Sequence, residues 1–573
     1  MPVRNSEIAD IFEKLADLLE IEESNPFRVR AYRNAAQSIR GHGKAMADLL
    51  EQGADLSELP DIGEDLAEKI QTIVTTGELP LLNEVESRTP AALSDMMRIE
   101  GLGPKRVKTL YKTLDIKSID DLKRAARSGK IREIPGFGKK TEDRIRTRVE
   151  GFTSHEQRVK LCVAEQIAEP LVDYLRKVKG VKDIVIAGSF RRRKETVGDL
   201  DILIAAARDS IVMDRFVEFG EVVEVISKGR TRARVRLRCG MSVDVRVVPA
   251  VSFGAALVYF TGSKQHNIAI RKMGVRRNLK INEYGVFRDK KRVAGKSEKS
   301  VYASVGLPVI VPELRENRGE LQAARKNRLP HLITMEDIRG DLHCHTRATD
   351  GRDTPRRMAE AAAERGYEYL SINDHSKRVA VANGLDRKRL LKQIKEIDKL
   401  NEKLDGIELL KSVELDILQD GSLDLPDSVI KELDFTVCAV HYGFNLSRRK
   451  QTDRVLRAMD NPYFNILAHP TGRLINEREP YPINLEAIMK AAKERGCFLE
   501  LNAHPDRLDL TDDACLLAKE IQVRIAVSTD AHSASDLRYM RCGIDQARRG
   551  WLEKTDIINT LSLSKLKELF ARR

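Results

Sequence analysis

The run GDLDIL, Gly198 to Leu203, sets two carboxylates two residues apart inside a stretch that otherwise reads as a buried strand. Side chains alternate across a strand, so Asp199 and Asp201 share one face while Leu200 and Ile202 pack on the other. Like charges held that close repel and raise one another's pKa unless a cation lies between them. The strand must therefore belong to a sheet with one face in a core and the other turned toward a divalent metal.

Two Mg²⁺ ions about 3.5–4 Å apart can activate a hydroxyl and stabilise a leaving pyrophosphate in an in-line phosphoryl transfer. That site needs a third carboxylate, and Asp244 is offered by the second strand of the hairpin from Arg232 to Ala250. Its neighbours Val243 and Val245 face the opposite way. The preceding β run, DIVIAGS, ends in Gly188 and Ser189, whose N–H and hydroxyl groups suit a triphosphate, with Arg192 placed to add a charged fork.

A chain of 573 residues exceeds one ordinary core and suggests about three to five domains. Its net charge of +13 is compatible with an anionic partner without identifying one. The N-terminus, MPVRNSEIADIFEKLADLL, reads as an amphipathic helix carrying acidic residues, not a secretory signal. No apolar stretch approaches the roughly 20 residues that span a bilayer, so a cytoplasmic protein is expected. The seven cysteines are scattered without a CxxC pair, which argues against a disulfide framework or a zinc ribbon.

The first 150 residues read as helical and contain a weak repeat: LPDIGEDLAEKI from Leu59, IEGLGPKRVKTL from Ile99 and IPGFGKKTEDRI from Ile134. Each is a tight glycine turn opening a helix whose free N–H groups suit a phosphate. The segments resemble helix-hairpin-helix motifs, which grip DNA backbone without reading sequence. The resemblance implies DNA contacts at Gly63, Gly101, Gly103, Gly136 and Gly138. The first copy departs from the pattern, with Asp61 where a glycine is expected; Arg28, Arg30, Arg33 and Arg40 offer a compensating basic face or a merely solvated one.

GSFRRRKETVGDLD, Gly188 to Asp201, resembles the motif of the X family of DNA polymerases, with Arg193 in place of a glycine. That side chain is expected near the phosphates. The resemblance implies Asp199, Asp201 and Asp244 as catalytic metal ligands binding Mg²⁺ or Mn²⁺, and extends the nucleotide site to Gly198. In YFTGSKQHNIAIRKMG it implies Tyr259, Phe260 and Gly262 at the sugar, Asn267 at the base edge and Arg271 at the template. It also places Lys69 where family members use a Schiff-base lysine on abasic sites, although a surface helix lysine is the commoner explanation.

Beyond Gly340, six histidines and three carboxylates sit at the ends of β-like runs separated by helical segments. They are His343, His345, Asp350, His375, Glu414, His441, His469, Asp530 and His532. Polar residues at strand C-termini in a strand-helix alternation describe a barrel with a site at one mouth. Nine ligands imply two or three ions, and mixed imidazole and carboxylate donors suit Zn²⁺, Mn²⁺ or Fe²⁺. The pattern resembles the polymerase and histidinol phosphatase (PHP) domain, a distorted barrel that hydrolyses phosphoesters, and NAHPDRLDL from Asn502 resembles a stretch typical of PHP domains on bacterial family X polymerases.

The expected fold is multidomain α+β and α/β: helix-hairpin-helix segments over 1–80 and 81–150, a nucleotidyltransferase palm over 151–250 and a thumb over 251–315. A linker over 316–335 and a distorted (β/α)7 PHP barrel over 336–573 complete it. The expected activities are gap filling in base excision repair and 3′-5′ exonuclease or 3′-end processing. The implied partners are gapped or primer-template DNA and dNTPs, with no membrane and a monomer favoured. The competing readings are a nucleotidyltransferase on RNA or a small molecule with a phosphatase PHP domain, and a catalytically silent DNA-end scaffold.

Overall fold

A computed structural model describes residues 3, 5–41, 46–51, 53–59, 61–97, 99, 102–150, 158–207 and 209–571. It divides into two compact units, Met1–Gln157 and Arg158–Arg573. Among the described residues the first holds helices without strands, built on the pairing of Asn5–Ile21 with Pro26–Gly41 around Phe12, Leu15, Leu19 and Tyr32. Gly101, expected to touch DNA, lies outside the described residues.

In the second unit, Asp199–Ala205 lies second in a five-stranded sheet, between Asp183–Ile186 and Ser242–Val248, followed by Arg232–Leu237 and Val222–Lys228. The Asp199 strand runs parallel to the Ser242 strand, and every other pairing is antiparallel. Leu200, Ile202, Ile204, Val243 and Val245 are 0–1% exposed and pack with Ile167 and Leu171 of the helix Leu161–Arg176. On the other face a small cluster of Leu203, Val248, Ala256 and Leu257 covers only the far end of the strands, leaving the aspartate end open.

The next core joins the helices Phe253–Thr261 and Lys264–Val275, a three-stranded hairpin sheet and the helix Glu298–Ser304. It extends into the polar segment that the sequence suggests as a linker. Leu314, Leu321 and Ala324 belong to this same core, and Arg315 and Glu320 are fully buried. Charge is tolerated there because it is paired: Arg315 bonds Glu298 at 2.7 Å, and Glu320 accepts from the backbone of Asn317 and Arg318 while lying 2.6 Å from His266 Nδ1.

From Gly340 onward, parallel strands alternate with helices in two pairing groups. Bridges at His375↔Glu414 and Cys344↔Ala531 link the groups, so the pairing that starts at Gly340 returns to the last strand, Ile525–Ser528. One end of this array is sealed by the helix Leu563–Ala571, whose Phe570 stacks on Phe435 at 4.5 Å. The metal-type side chains gather at the opposite end, where the strands finish.

Candidate active sites

Asp201 and Asp244 are register partners on neighbouring parallel strands, and Asp199 opens the same strand two residues earlier. The three predicted carboxylates therefore share one face of the sheet, on neighbouring interior strands. Burial, followed by the charges of Asp199 and Asp244, pushes the Asp201 carboxyl up to about 7. Asp244 Oδ1 is buried without a hydrogen bond, while Oδ2 accepts from Arg232 at 2.7 Å. Arg246 Nε lies 3.3 Å from Asp244 and Arg234 3.9 Å from Asp199. Three carboxylates, one orphaned oxygen and one carboxyl that resists ionising make a donor set suited to hard divalent cations.

Gly188 has a φ of +60°, and a Cβ there would lie 2.5 Å from Asp201 Oδ2. Only glycine lets the loop approach the carboxylate so closely. Ser189 follows in the short helix Gly188–Arg191, and Gly198 immediately precedes the Asp199 strand. Tyr259 and Phe260 form an edge-to-face pair at 5.0 Å, Gly262 ends their helix at φ +74°, and Asn267 donates to the Tyr259 carbonyl. Arg271 is exposed on the following helix, its Nε 3.4 Å from the Asn267 carbonyl.

Arg192 is already engaged within the chain, donating to the Thr261 carbonyl at 2.5 Å and to Glu316 at 3.0 Å. Arg193 departs from expectation. With φ at +56°, its guanidinium is taken up by carboxylates of the protein itself, Asp545 at 2.8 Å and Glu165 at 2.7 Å. The left-handed backbone explains why glycine suits this position, and the two carboxylates explain where an arginine goes instead.

In the second cluster six of the nine residues are buried, His441 and His532 are partly exposed and Asp350 is exposed. His343 and His345 are 0% exposed, and their Nε2 atoms stand 3.1 Å apart, which is close for two rings without an ion nearby. Glu414 sits at the centre, 2.8 Å from His375, 2.9 Å from His469 and 3.2 Å from His441. Asp350 lies 3.3 Å from His375 and 3.4 Å from His532, and Asp530 lies 3.2 Å from His345. Three groups have ligand atoms close enough to share a cation: His345, Asp350, His375 and His532; His343, His345 and Asp530; and His375, Glu414 and His441.

Burial would depress the imidazoles, and at His375 and His532 the carboxylates outweigh it: Glu414 and Asp350 push His375 up to about 10, while Asp350 and Asp530 push His532 up to about 9. At His345 burial, joined by the neighbouring His532 and His375, holds the ring below its usual range. The buried Nδ1 of His345 has no hydrogen-bond partner, which fits a ring nitrogen kept for metal.

Behind the ligands stands a set of residues that strand-end reasoning missed. Glu500 accepts from the His469 backbone N–H at 2.7 Å and lies 2.7 Å from His343 Nδ1. Asn502 bridges Glu500 and Asp530; Asp374 accepts from Thr346 and Thr349, and Asp416 lies 3.4 Å from His441 Nδ1. Glu500, Asn502 and Asp416 are polar residues on short strands, FLELN for the first two, and Asp374 follows the strand Tyr369–Ile372 by two positions; that was the available signal.

In the helical unit, Gly63 and Gly103 precede the helices Glu64–Thr76 and Pro104–Leu114, and Gly138 precedes Lys139–Glu150. Nothing lies within 4 Å of a Cβ built at Gly63, Gly103, Gly136 or Gly138, so these backbones are open to a ligand. Gly136 has φ +86°, and Asp61, at the matching place in the first copy, adopts φ +60°. The first copy opens its helix with Glu64 and Asp65, which repel phosphate; the others open with Lys105 and Arg106 or Lys139 and Lys140. Lys69 is paired with Asp65 one turn back on its own helix.

Family comparisons match this architecture segment by segment. A helix-hairpin-helix domain matches 3–79, a SAM-like helix-hairpin-helix tandem 93–149, the DNA polymerase beta palm 163–232 and thumb 256–316, and the PHP domain 341–504. The DNA polymerase/3′-5′ exonuclease PolX of Bacillus subtilis (strain 168) is 35% identical over 575 residues, covering 100% of both chains. A "probable phosphatase" of Thermoanaerobacter sp. (strain X514) is 30% identical over 239 residues, 40% of this chain and 92% of that protein. The polymerase segments, the PHP domain and the full-length match together establish that the chain belongs to the family X DNA polymerases that carry a C-terminal PHP domain.

Proposed function

We propose that this protein fills short gaps in DNA at the palm and removes 3′-terminal nucleotides at the PHP site, preparing damaged ends for repair synthesis. The observation that supports the reading is the coexistence of two clusters of different chemistry in one chain, three carboxylates on the palm sheet and nine candidate ligands at the PHP strand ends, eight of them in groups whose ligand atoms lie close enough to share a cation. Full-length similarity to a protein named for both activities supports it.

At the palm, Asp199, Asp201 and Asp244 would hold two Mg²⁺ ions, which when bound supply activation of the primer 3′-hydroxyl and neutralise the leaving pyrophosphate. Gly188 lets the loop backbone reach the phosphates, and Tyr259 and Phe260 would bound the sugar. At the PHP site the nine ligands would hold two or three ions, Mn²⁺ favoured, which supply a nucleophilic water at neutral pH. Glu500 and Asp416 fix the orientation of His343 and His441. The second and third glycine turns would track DNA phosphates and seat the substrate. No described helix is long and apolar enough to cross a membrane.

Removal of a 3′-phosphate block is a second use of the same site, favoured by the phosphatase named among the PHP relatives. The test is a labelled one-nucleotide-gapped DNA with dNTPs and Mn²⁺, beside Asp199→Ala/Asp201→Ala and His343→Ala/His345→Ala variants. The first pair is expected to lose extension and keep 3′ release, the second the reverse. Loss of both activities in both variants would sink the two-site reading.

A further inference from the structure

Resting on the reading that Arg192 meets the nucleotide phosphates, we infer that Arg549, on a helix of the PHP domain, is a positioning residue for DNA synthesis. It holds Arg192 in place, so dNTP affinity at the palm depends on a PHP side chain. The helix Met540–Arg549 packs Met540, Ile544 and Ala547 into the core of the C-terminal strands and ends in Arg549, which is 2% exposed. Nη1 of Arg549 donates to the Arg192 carbonyl at 2.7 Å and to Glu316 Oε1 at 3.1 Å. The same Glu316 oxygen accepts from Arg192 Nε at 3.0 Å. Arg549 thus grips both the backbone of Arg192 and the carboxylate that orients its guanidinium.

The grip is anchored on both sides. Nη2 of Arg549 donates to Asp512 at 2.6 Å, and Asp512 also accepts from Arg318 at 3.0 Å, just beyond Glu316 in the chain. Asp545 lies one turn before Arg549 on the same helix face and takes Arg193 at 2.8 Å. Glu195 is met by Arg473 at 2.6 Å and by Gln546 at 3.4 Å. Arg192, Arg193 and Glu195 are therefore all held by residues of the PHP domain. They lie between Gly188, whose backbone closes on Asp201, and Asp199, so what holds them sets the nucleotide loop.

On its other side Arg192 Nη1 donates to the carbonyl of Thr261, the residue between Phe260 and Gly262. Arg192 thereby pins the phosphate loop to the turn proposed to bound the sugar. A guanidinium fixed by protein partners has already lost the rotamer freedom that clasping a phosphate would cost it, and such preorganisation raises affinity. Charge points the same way. Glu316 alone would neutralise Arg192; shared with Arg549, it leaves the trio a net positive charge to offer a triphosphate.

The experiment is steady-state filling of a one-nucleotide gap by the full-length protein with dNTP varied, beside 3′ release from the same DNA. Arg549→Met should raise the dNTP KM about tenfold and keep kcat within about twofold of wild type. It should leave 3′ release unchanged, because the partners of Arg549 include none of the PHP ligand-type residues. Arg192→Met should raise KM similarly, and the double variant no further, since both changes act through one contact. A wild-type KM in Arg549→Met beside a raised one in Arg192→Met overturns the inference, and so do fully additive effects in the double variant. If KM moves in neither single variant, Arg192 does not meet the nucleotide and the underlying reading falls instead. Should Arg549→Met fail to fold, Arg549→Lys decides: it keeps the charge but brings one nitrogen to three partners, so KM should rise about threefold, and a wild-type KM overturns the inference.

Discussion

The two metal-type sites solve the same electrostatic problem in opposite ways. At the palm, three carboxylates from two adjacent strands share one face of the sheet, with Asp199 47% exposed and Arg232, Arg234 and Arg246 beside the group. At the PHP site, nine candidate ligands from the ends of many strands gather around Glu414, itself one of them and buried. All-oxygen donors select hard, well-hydrated cations, and imidazoles admit softer ones.

Metal exchange gives the largest expected contrast. After chelation, Mg²⁺ alone should restore primer extension while leaving 3′ release below about a tenth of its Mn²⁺ level. Equal recovery of both activities would erase the distinction. Glu500→Gln should weaken metal binding at the PHP site by about 10–100-fold, because His343 loses its charged partner, and should leave gap filling intact. Manganese titration of 3′ release reads this directly.

A pH experiment sharpens the palm side. With its pKa raised to about 7 from 3.8, the Asp201 carboxyl penalises the metal-free fold increasingly as pH climbs from about 4 to about 7, and by a constant amount above. Asp201→Asn should therefore melt higher than metal-free wild type at pH 8, by about 2 kcal/mol after allowance for partial solvent screening, with the gap closing toward pH 4. Mg²⁺ should narrow the gap at pH 8 by stabilising only wild type.

The smallest effect concerns the contact between the two regions. Arg193→Gly breaks the pairs with Asp545 and Glu165 but relieves a left-handed backbone, so the net loss should be about 1 kcal/mol. Calorimetry should show it as a slightly lower melting temperature. A rise in stability would mean that the backbone strain outweighs the ion pairs.

Much of the palm was legible because its chemistry is local. Asp199 and Asp201 share a face by strand alternation alone, and Asp244 sits in a β run whose flanking valines are buried as expected. The PHP ligands were legible as strand-end residues although they span almost 190 positions, since each run ended in a polar residue that a core strand would not otherwise carry. Glu500 and Asp416 were not, because a carboxylate that acts by orienting another residue has no spacing to betray it. The segment after Leu314 misled for a related reason: its charges looked solvated, and only their partners, Glu298 for Arg315 and the Asn317 and Arg318 amides for Glu320, explain how they are buried.

The sequence by itself determined which residues are candidates for the chemistry, how the helical, palm, thumb and PHP segments follow one another, and which of the glycine turns open on basic residues. Those properties reside in residue type and short-range periodicity. Only the tertiary structure decided that Arg193 meets Asp545 and Glu165, that Arg192 is engaged by Thr261 and Glu316, and that Glu500 stands behind His343. A long side chain goes where opposite charge and space are found, and both are set by residues hundreds of positions away.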